Sequence, residues 1–279
     1  MRIKHRYSIE SKKVIAFLDL HQIKYEISEV PGNRICHFDL YEDQDVYELF
    51  KKKFPIISKT SSWKYLEYSK EEITSAKWLV LKSSGSKVQY EYTNDAFAPS
   101  CQYKRMFTKE PYFRHYEQIG SLSSHRIVRW GARQFFTGPN SGDDMIFCSE
   151  KAKELLNGKY QGLEFWPVKK YNKGTCIEDL HQLIFTQNLP LEAISGGKSI
   201  RCKGCGKTLL LFKDYRLQFK IKTDYLTDTN CVYTTGEILT EDVRNHETFS
   251  LHIVSNAFYQ YCEENNMNKG LSYEPIELI

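Results

Sequence analysis

The sequence has no apolar run long enough to cross a bilayer. Its longest, such as Trp78-Leu79-Val80-Leu81, are strand-sized. No spanning segment is expected, and no membrane partner. Met1-Arg2-Ile3-Lys4-His5-Arg6-Tyr7 is charged and lacks an apolar stretch behind it, which reads as no secretory signal. A cytoplasmic chain is therefore expected, its eight cysteines held as thiols or metal ligands rather than disulfides. A strong charge of one sign is also missing. The 39 Lys and Arg against 35 Asp and Glu leave +4, too little by itself to argue for nucleic acid. No His-Glu-x-x-His and no dinucleotide fingerprint appears. Ser195-Gly196-Gly197-Lys198-Ser199 has the look of a phosphate loop's end, but Glu192 stands where the motif needs glycine, and a flexible loop explains it better. These absences favour a binding protein over an enzyme, and no catalytic residue is assigned.

What is present is a globular composition, 41% hydrophobic and 14% aromatic, with 19 Tyr and 16 Phe in 279 residues. That length allows one large core or two domains. In residues 1–58, Ile3, His5, Tyr7 and Ile9 alternate as a strand. Ser11 caps a helix carrying Val14, Phe17, Leu18 and Leu20. Strands over Lys24–Val30 and Arg34–Tyr41 follow, split by the turn Pro31-Gly32-Asn33. Asp43 then opens a helix with Val46, Leu49 and Phe50 that stops before Pro55. Strand, helix, strand, strand, helix is most of a ferredoxin-like split βαβ unit, expected over residues 1–70. The remainder, 71–279, is expected to be α+β. It begins with a turn or short helix over Glu71–Ala76 and central antiparallel strands at Trp78–Lys82 and Lys87–Tyr92, joined as a hairpin.

Residues 103–136 mix Lys104, Arg105, Lys109, Arg114, Arg126, Arg129 and Arg133 with Tyr103, Tyr112, Phe113, Trp130 and Phe136. Such interleaving can serve single-stranded nucleic acid, with charge for the backbone and rings for the bases. It equally describes strands that bury rings and solvate cations. Arg105, Arg114, Arg126, Arg129 and Trp130 are the candidate binding surface, for a protein or for nucleic acid.

Two segments align. Ile146-Phe147-Cys148-Ser149, a helix and Gly162-Leu163-Glu164-Phe165-Trp166-Pro167-Val168 form one. His252-Ile253-Val254-Ser255, a helix and Gly270-Leu271-Ser272-Tyr273-Glu274-Pro275-Ile276 form the other. Ser149 and Ser255 are placed as N-caps. Ala152, Leu155, Leu156 and Phe258, Tyr261, Cys262 occupy matching stripe positions. Two strand–helix–strand repeats, 145–168 and 251–276, are expected, with Pro167 and Pro275 placing their closing strands at sheet edges or ending ladders.

Between the repeats, residues 201–207 hold a Cys-x-x-Cys-Gly knuckle, Cys202 and Cys205. Two thiolates at this spacing can grip one zinc from a tight turn, and Gly204 and Gly206 let the backbone wrap it. No second Cys-x-x-Cys exists, so Cys101 and Cys231 are taken to complete a structural zinc site, with His115, His125, His181, Cys148 and Cys176 as other donors. A thiol redox pair and a degraded metal site are the competing readings. The strand-like Thr208-Leu209-Leu210-Leu211-Phe212 after the knuckle favours a zinc ribbon, since a redox pair opens a helix. Cys101 beside His115 or His125 could pair as thiolate and imidazole, though no nucleophile signature surrounds it.

The Ser-capped helix leading to Gly162–Val168, the single knuckle and Gly270–Ile276 together resemble bacterial polymorphic-toxin immunity proteins, nearest the double-CxxCG immunity proteins, over residues 146–279. That family carries two knuckles where this chain has one. The resemblance implies a cytosolic protein that neutralises a toxin-like protein partner by binding it. The alternatives are a zinc-ribbon nucleic-acid binder using 103–136 and a cysteine-dependent enzyme at Cys101.

Overall fold

The computed structural model describes residues 1–30, 33–60, 62–83, 90–91, 97–99, 116–125, 128–137, 145–202, 206–236, 238–240 and 249–279. The chain is α+β and divides into two compact units, Met1–Glu72 and Ile73–Ile279.

In the first unit the order is β1 (Arg2–Ile9), α1 (Lys12–Leu20), β2 (Tyr25–Val30), β3 (Asn33–Tyr41), α2 (Asp45–Lys53), α3 (Pro55–Thr60) and β4 (Ser62–Glu67). The strands form one sheet in the order β2-β3-β1-β4, every neighbour antiparallel. Alternation in β1 turns Tyr7 and Ile9 inward, onto Val14, Phe17 and Leu18 of α1 and Phe50 of α2. Ser11 caps α1, its Oγ accepting from the Val14 amide at 3.4 Å. Two stripe assignments fail: Leu20 is 72% exposed and Leu49 49%. In α2 the rings of Tyr47 and Phe50 point inward instead. Tyr47 stacks on His5 at 4.8 Å and Phe50 lies tilted against Tyr7 at 5.0 Å, so ring packing on the sheet sets the helix phase.

The second unit begins within α4 (Lys70–Ser75) and continues with β5 (Trp78–Ser83), β6 (Tyr90–Glu91), β7 (Phe97–Pro99), β8 (Tyr116–Gln118) and β9 (Ser123–Ser124). There follow β10 (Phe135–Thr137), β11 (Ile146–Cys148), α5 (Glu150–Leu156), β12 (Leu163–Lys170), β13 (Cys176–Phe185), β14 (Asn188–Leu189) and β15 (Ile194–Ser195). Next are β16 (Lys198–Arg201), β17 (Thr208–Phe212), α6 (Tyr215–Gln218), β18 (Lys220–Ile221), β19 (Tyr233–Thr235) and β20 (Ile238–Thr240). Last come β21 (His252–Ser255), α7 (Asn256–Glu264), β22 (Leu271–Pro275) and β23 (Glu277–Leu278). The two principal sheets run β10-β11-β13-β12-β9-β6 and β14-β19-β21-β5-β22. The expected hairpin of β5 with the strand after it does not form. β5 is buried along its whole length at the centre of one sheet, while β6 pairs with β9 in the other. Both edges of β5 are taken by β21 and β22 from the far end of the chain, which leaves none for the strand after it.

The repeats correspond at their caps and in strand register, though α7 is longer than α5. Ser149 and Ser255 take nearly the same backbone angles, φ −74 with ψ 163 and 164, and each Oγ accepts from the amide three residues on, Ala152 or Phe258. Cys148 faces His181 of β13, as Val254 faces Leu79 of β5. Phe165 faces Leu183, as Tyr273 faces Leu81. So β13 holds the middle of the first repeat's sheet and β5 the middle of the second's. In chain order, however, β5 precedes the first repeat and β13 follows it. Thus β5, β10, β11, α5 and β12 match β13, β19, β21, α7 and β22, with other strands inserted in each set, and each set lends its first strand to the other's sheet.

Glycine enforces the reciprocity. Gly162 (φ +80) lies so close to the second sheet that a Cβ would sit 2.6 Å from the Val232 carbonyl oxygen. At Gly270 (φ +105) a Cβ would sit 2.5 Å from the Phe135 carbonyl oxygen of the first. The helices share one core with both sheets, where Ala152, Leu156 and Tyr160 meet Phe258, Tyr259 and Cys262. The Tyr261 hydroxyl donates to the Leu155 carbonyl at 3.0 Å. Of the closing strands, β22 is an edge, with Pro275 its last residue. β12 is internal, but β9 pairs only with Lys169 and Lys170, past Pro167 and the register shift that follows it.

Candidate functional site

The knuckle tips the hairpin of β16 and β17, which pair from Lys198↔Leu211 to Arg201↔Thr208. Cys202 donates its amide to the Lys207 carbonyl at 2.9 Å, and the Gly206 amide donates to the Cys202 carbonyl at 2.8 Å. Gly206 takes φ +77, and the Arg201 Nε donates to its carbonyl at 2.9 Å. The backbone therefore folds back at the point where the sequence places the glycine. Cys202 is buried beside Leu209, with Ile200 and Leu211 packed around them. Cys205 and Cys101 lie outside the described residues, as do Arg105, Arg114, Arg126 and His115. Cys231 packs in a different apolar cluster, with Trp78 and Tyr233, and burial raises its thiol pKa. Among the described residues no three His, Cys, Asp or Glu side chains are grouped to hold a metal. The flexible loop expected at 195–199 is a tight turn. Gly196 (φ +92) lies against the Gln218 backbone, where a Cβ would meet its carbonyl oxygen at 1.8 Å.

Of the basic and aromatic segment, Arg129 is exposed and Trp130 half-buried. Trp130 stacks on Phe136 at 5.1 Å, and its Nε1 donates to the Asp179 carbonyl at 2.8 Å, so it covers the core that Phe136 shares with Leu122 and Phe147. The neighbouring polar cluster was not foreseen. His181 Nε2 lies 2.5 Å from Glu150, Lys153 contacts the same carboxylate at 2.7 Å, and the Glu150 amide donates to Asp179 at 2.6 Å. The bonds from Lys153 and His181 hold Glu150 below the usual carboxylate range. Cys148, opposite His181, is fully buried, and burial pushes its thiol well up, so this neighbourhood offers no reactive thiolate.

The first unit presents the most ordered polar surface. The sheet face away from its helices carries Arg2, Lys4 and Arg6 from β1, Asp39 and Tyr41 from β3, and Tyr65 and Glu67 from β4. Each cation has an acidic partner. Arg2 forks onto Asp43 at 2.7 and 2.9 Å and lies 4.0 Å over the Tyr41 ring. Lys4 pairs with Glu67 and with Asp39 and sits 5.9 Å from the Tyr65 ring. Arg6 reaches Asp39 at 3.3 Å. The bond from Arg2 holds Asp43 low. Burial works against the charge on Glu67, but bonds from Lys4 and Tyr41 hold it low as well. On the same face His37 bridges Ser8 at 2.8 Å and Ser28 at 2.7 Å. Beside it opens a cleft of about 980 Å³, walled by Arg6, His21, Lys24, Tyr25 and Glu26. The alternation that turned Tyr7 inward already implied this outward set, so the sequence did hold the signal.

No family model, no curated protein and no solved structure matches the chain. No helix among the described residues is long and apolar enough to cross a membrane.

Proposed function

We propose that this chain is a non-catalytic protein-binding protein, an immunity-like neutraliser of a bacterial toxin, working in the cytoplasm. The observation that carries the reading is the outer face of the first sheet, where Arg2, Lys4, Arg6, Tyr41 and Tyr65 are fixed by ion pairs and ring contacts. Side chains already ordered on rigid strands lose little freedom when a partner docks, and Arg and Tyr are the residues that most often anchor interfaces. A neutraliser needs such a surface and no reacting group. The carboxylates among the cations disfavour nucleic acid, whose phosphates they would repel. The β2-β3-β1-β4 order supports reading the first unit as ferredoxin-like, a scaffold for that face.

Cys202 and Cys205 are proposed as two ligands of a structural zinc clamping the β16–β17 tip, with Cys101 and Cys231 as the remaining donors. The turned-back geometry at Gly206 fits a knuckle. Purified protein is expected to carry about one zinc per chain, lost in Cys202→Ser. Folded protein free of zinc refutes the metal. The functional reading is tested by sequencing the genes beside this one for a secreted toxin and titrating the chain with its purified product; a neighbourhood without one counts against the reading. Tight binding is expected, weakened about tenfold or more by Arg2→Glu or Tyr41→Ala with circular dichroism unchanged. Absence of binding, or binding indifferent to both substitutions, overturns it.

A further inference from the structure

We propose that the free edge of β2 is a self-pairing surface, joining two copies of this chain through an antiparallel β2–β2 ladder about a two-fold axis at Ile27. The proposal stands apart from the toxin-neutralising reading and needs no other partner. β2 pairs with β3 over all six of its residues without a register break, and no strand among the described residues lies on its other side. Proteins guard such edges with proline, bulges, lysine or very short strands. Tyr25-Glu26-Ile27-Ser28-Glu29-Val30 has no proline, bulge or lysine; its charges are Glu26 and Glu29, and it exposes Ile27 at 39% and Val30 at 45%. Two carboxylates guard the edge against registers that bring them together, but not against one that sets each beside a neutral residue.

Geometry selects both the occupant and the register. In an antiparallel pair, opposed residues point to one face of the sheet, so a two-fold axis that keeps both helical layers on one side passes through a residue. At Glu26 it would oppose two carboxylates. At Ser28 it would set Ile27 against Glu29 and Glu26 against Val30. At Ile27 it opposes Ile27 to itself, Glu26 to Ser28, Tyr25 to Glu29 and Lys24 to Val30, with no like charges facing. An axis at Tyr25 also opposes no like charges, but it sets Ser28, Glu29 and Val30 beyond the start of the partner strand, so Ile27 is the self-complementary register that uses nearly all of β2. Pairing there extends the four-stranded sheet across both copies and leaves β2 with no open side.

The test uses the full chain. Sedimentation and light scattering are expected to show a concentration-dependent dimer, and Ile27→Lys, which places two ammonium groups face to face, is expected to raise its dissociation constant about tenfold or more. Register is read by cross-linking. Ile27→Cys should form an intermolecular disulfide under mild oxidation beyond the wild-type background. Glu26→Cys should not, because its symmetry mate is a diagonal neighbour about 7–8 Å away. A monomer at every concentration, a dimer indifferent to Ile27→Lys, or equal cross-linking of the two cysteine variants overturns the proposal. So does a dimer that forms only with a foreign strand seated on β2.

Discussion

At the scale of the residue, two glycines let the repeats of the second unit approach each other. Gly162 and Gly270 combine positive φ with a carbonyl oxygen where a Cβ would go, that of Val232 just before β19 and that of Phe135 in β10. Alanine must bear a left-handed conformation costing roughly 1–2 kcal/mol and also push two sheets apart. Gly162→Ala and Gly270→Ala are each expected to lower stability by more than about 2 kcal/mol in urea unfolding, while alanine at exposed Gly174, which has open space around it, stays nearer the conformational cost alone. Glu150 gives a pH signature. Its folded pKa is depressed, so the stability it contributes is present above its unfolded value of about 4.3 and is lost as pH falls through the folded value. Glu150→Gln should therefore differ from wild type at neutral pH and converge with it in acid. With the carboxylate 41% exposed the gap will be modest, and equal pH profiles would show the Lys153 and His181 contacts to be idle.

Elements were legible where short-range patterns decide them. The caps at Ser11, Ser149 and Ser255 were readable because a hydroxyl before an apolar stripe has one good use. Ser255→Ala is expected to cost about 1 kcal/mol. Phe258→Ala, in the same helix but fully buried, should cost about 3–5 kcal/mol by thermal unfolding. The first unit was readable from β1 to α2, where alternation and caps act locally, but α3 and β4 were not foreseen, and β4 reaches back to pair with β1, Arg2 opposite Glu67. The partner of β5 was not readable either. A run such as Trp78-Leu79-Val80-Leu81 announces a buried strand but not which sheet buries it, and its true neighbours lie far along the chain. The outward face of β1 was legible in part. Alternation places Arg2, Lys4 and Arg6 on it, but the carboxylates and rings that hold them are set only by pairing with β3 and β4. The knuckle gave its own turn correctly, because Gly206 acts locally, but two thiols cannot name ligands elsewhere in the sequence.

At the scale of the molecule, the first unit has a private core, built from α1, α2 and the inner face of its sheet. Residues 1–72 are expected to fold alone, with amide exchange protection centred on Tyr7, Phe38 and Leu40. The two repeats of the second unit have no such independence. A chain beginning at Ile73 should fold, whereas one beginning after Ser83 should not, because β21 and β22 would lose the strand that lies between them. Solubility and near-ultraviolet circular dichroism decide the point. A folded product without β5 would mean that the exchange of strands is ornamental.

That exchange sets a timetable for synthesis. Lys82 of β5 meets Glu274 of β22 across 192 residues. At about 5–20 residues per second, the strand waits roughly ten to forty seconds between leaving the ribosome and meeting its last neighbour. During that interval Trp78-Leu79-Val80-Leu81 is a naked apolar segment with the composition of an aggregation seed. The nascent chain, more than the finished protein, is the species that must be shielded, and a chaperone that holds extended apolar strands is its natural guardian.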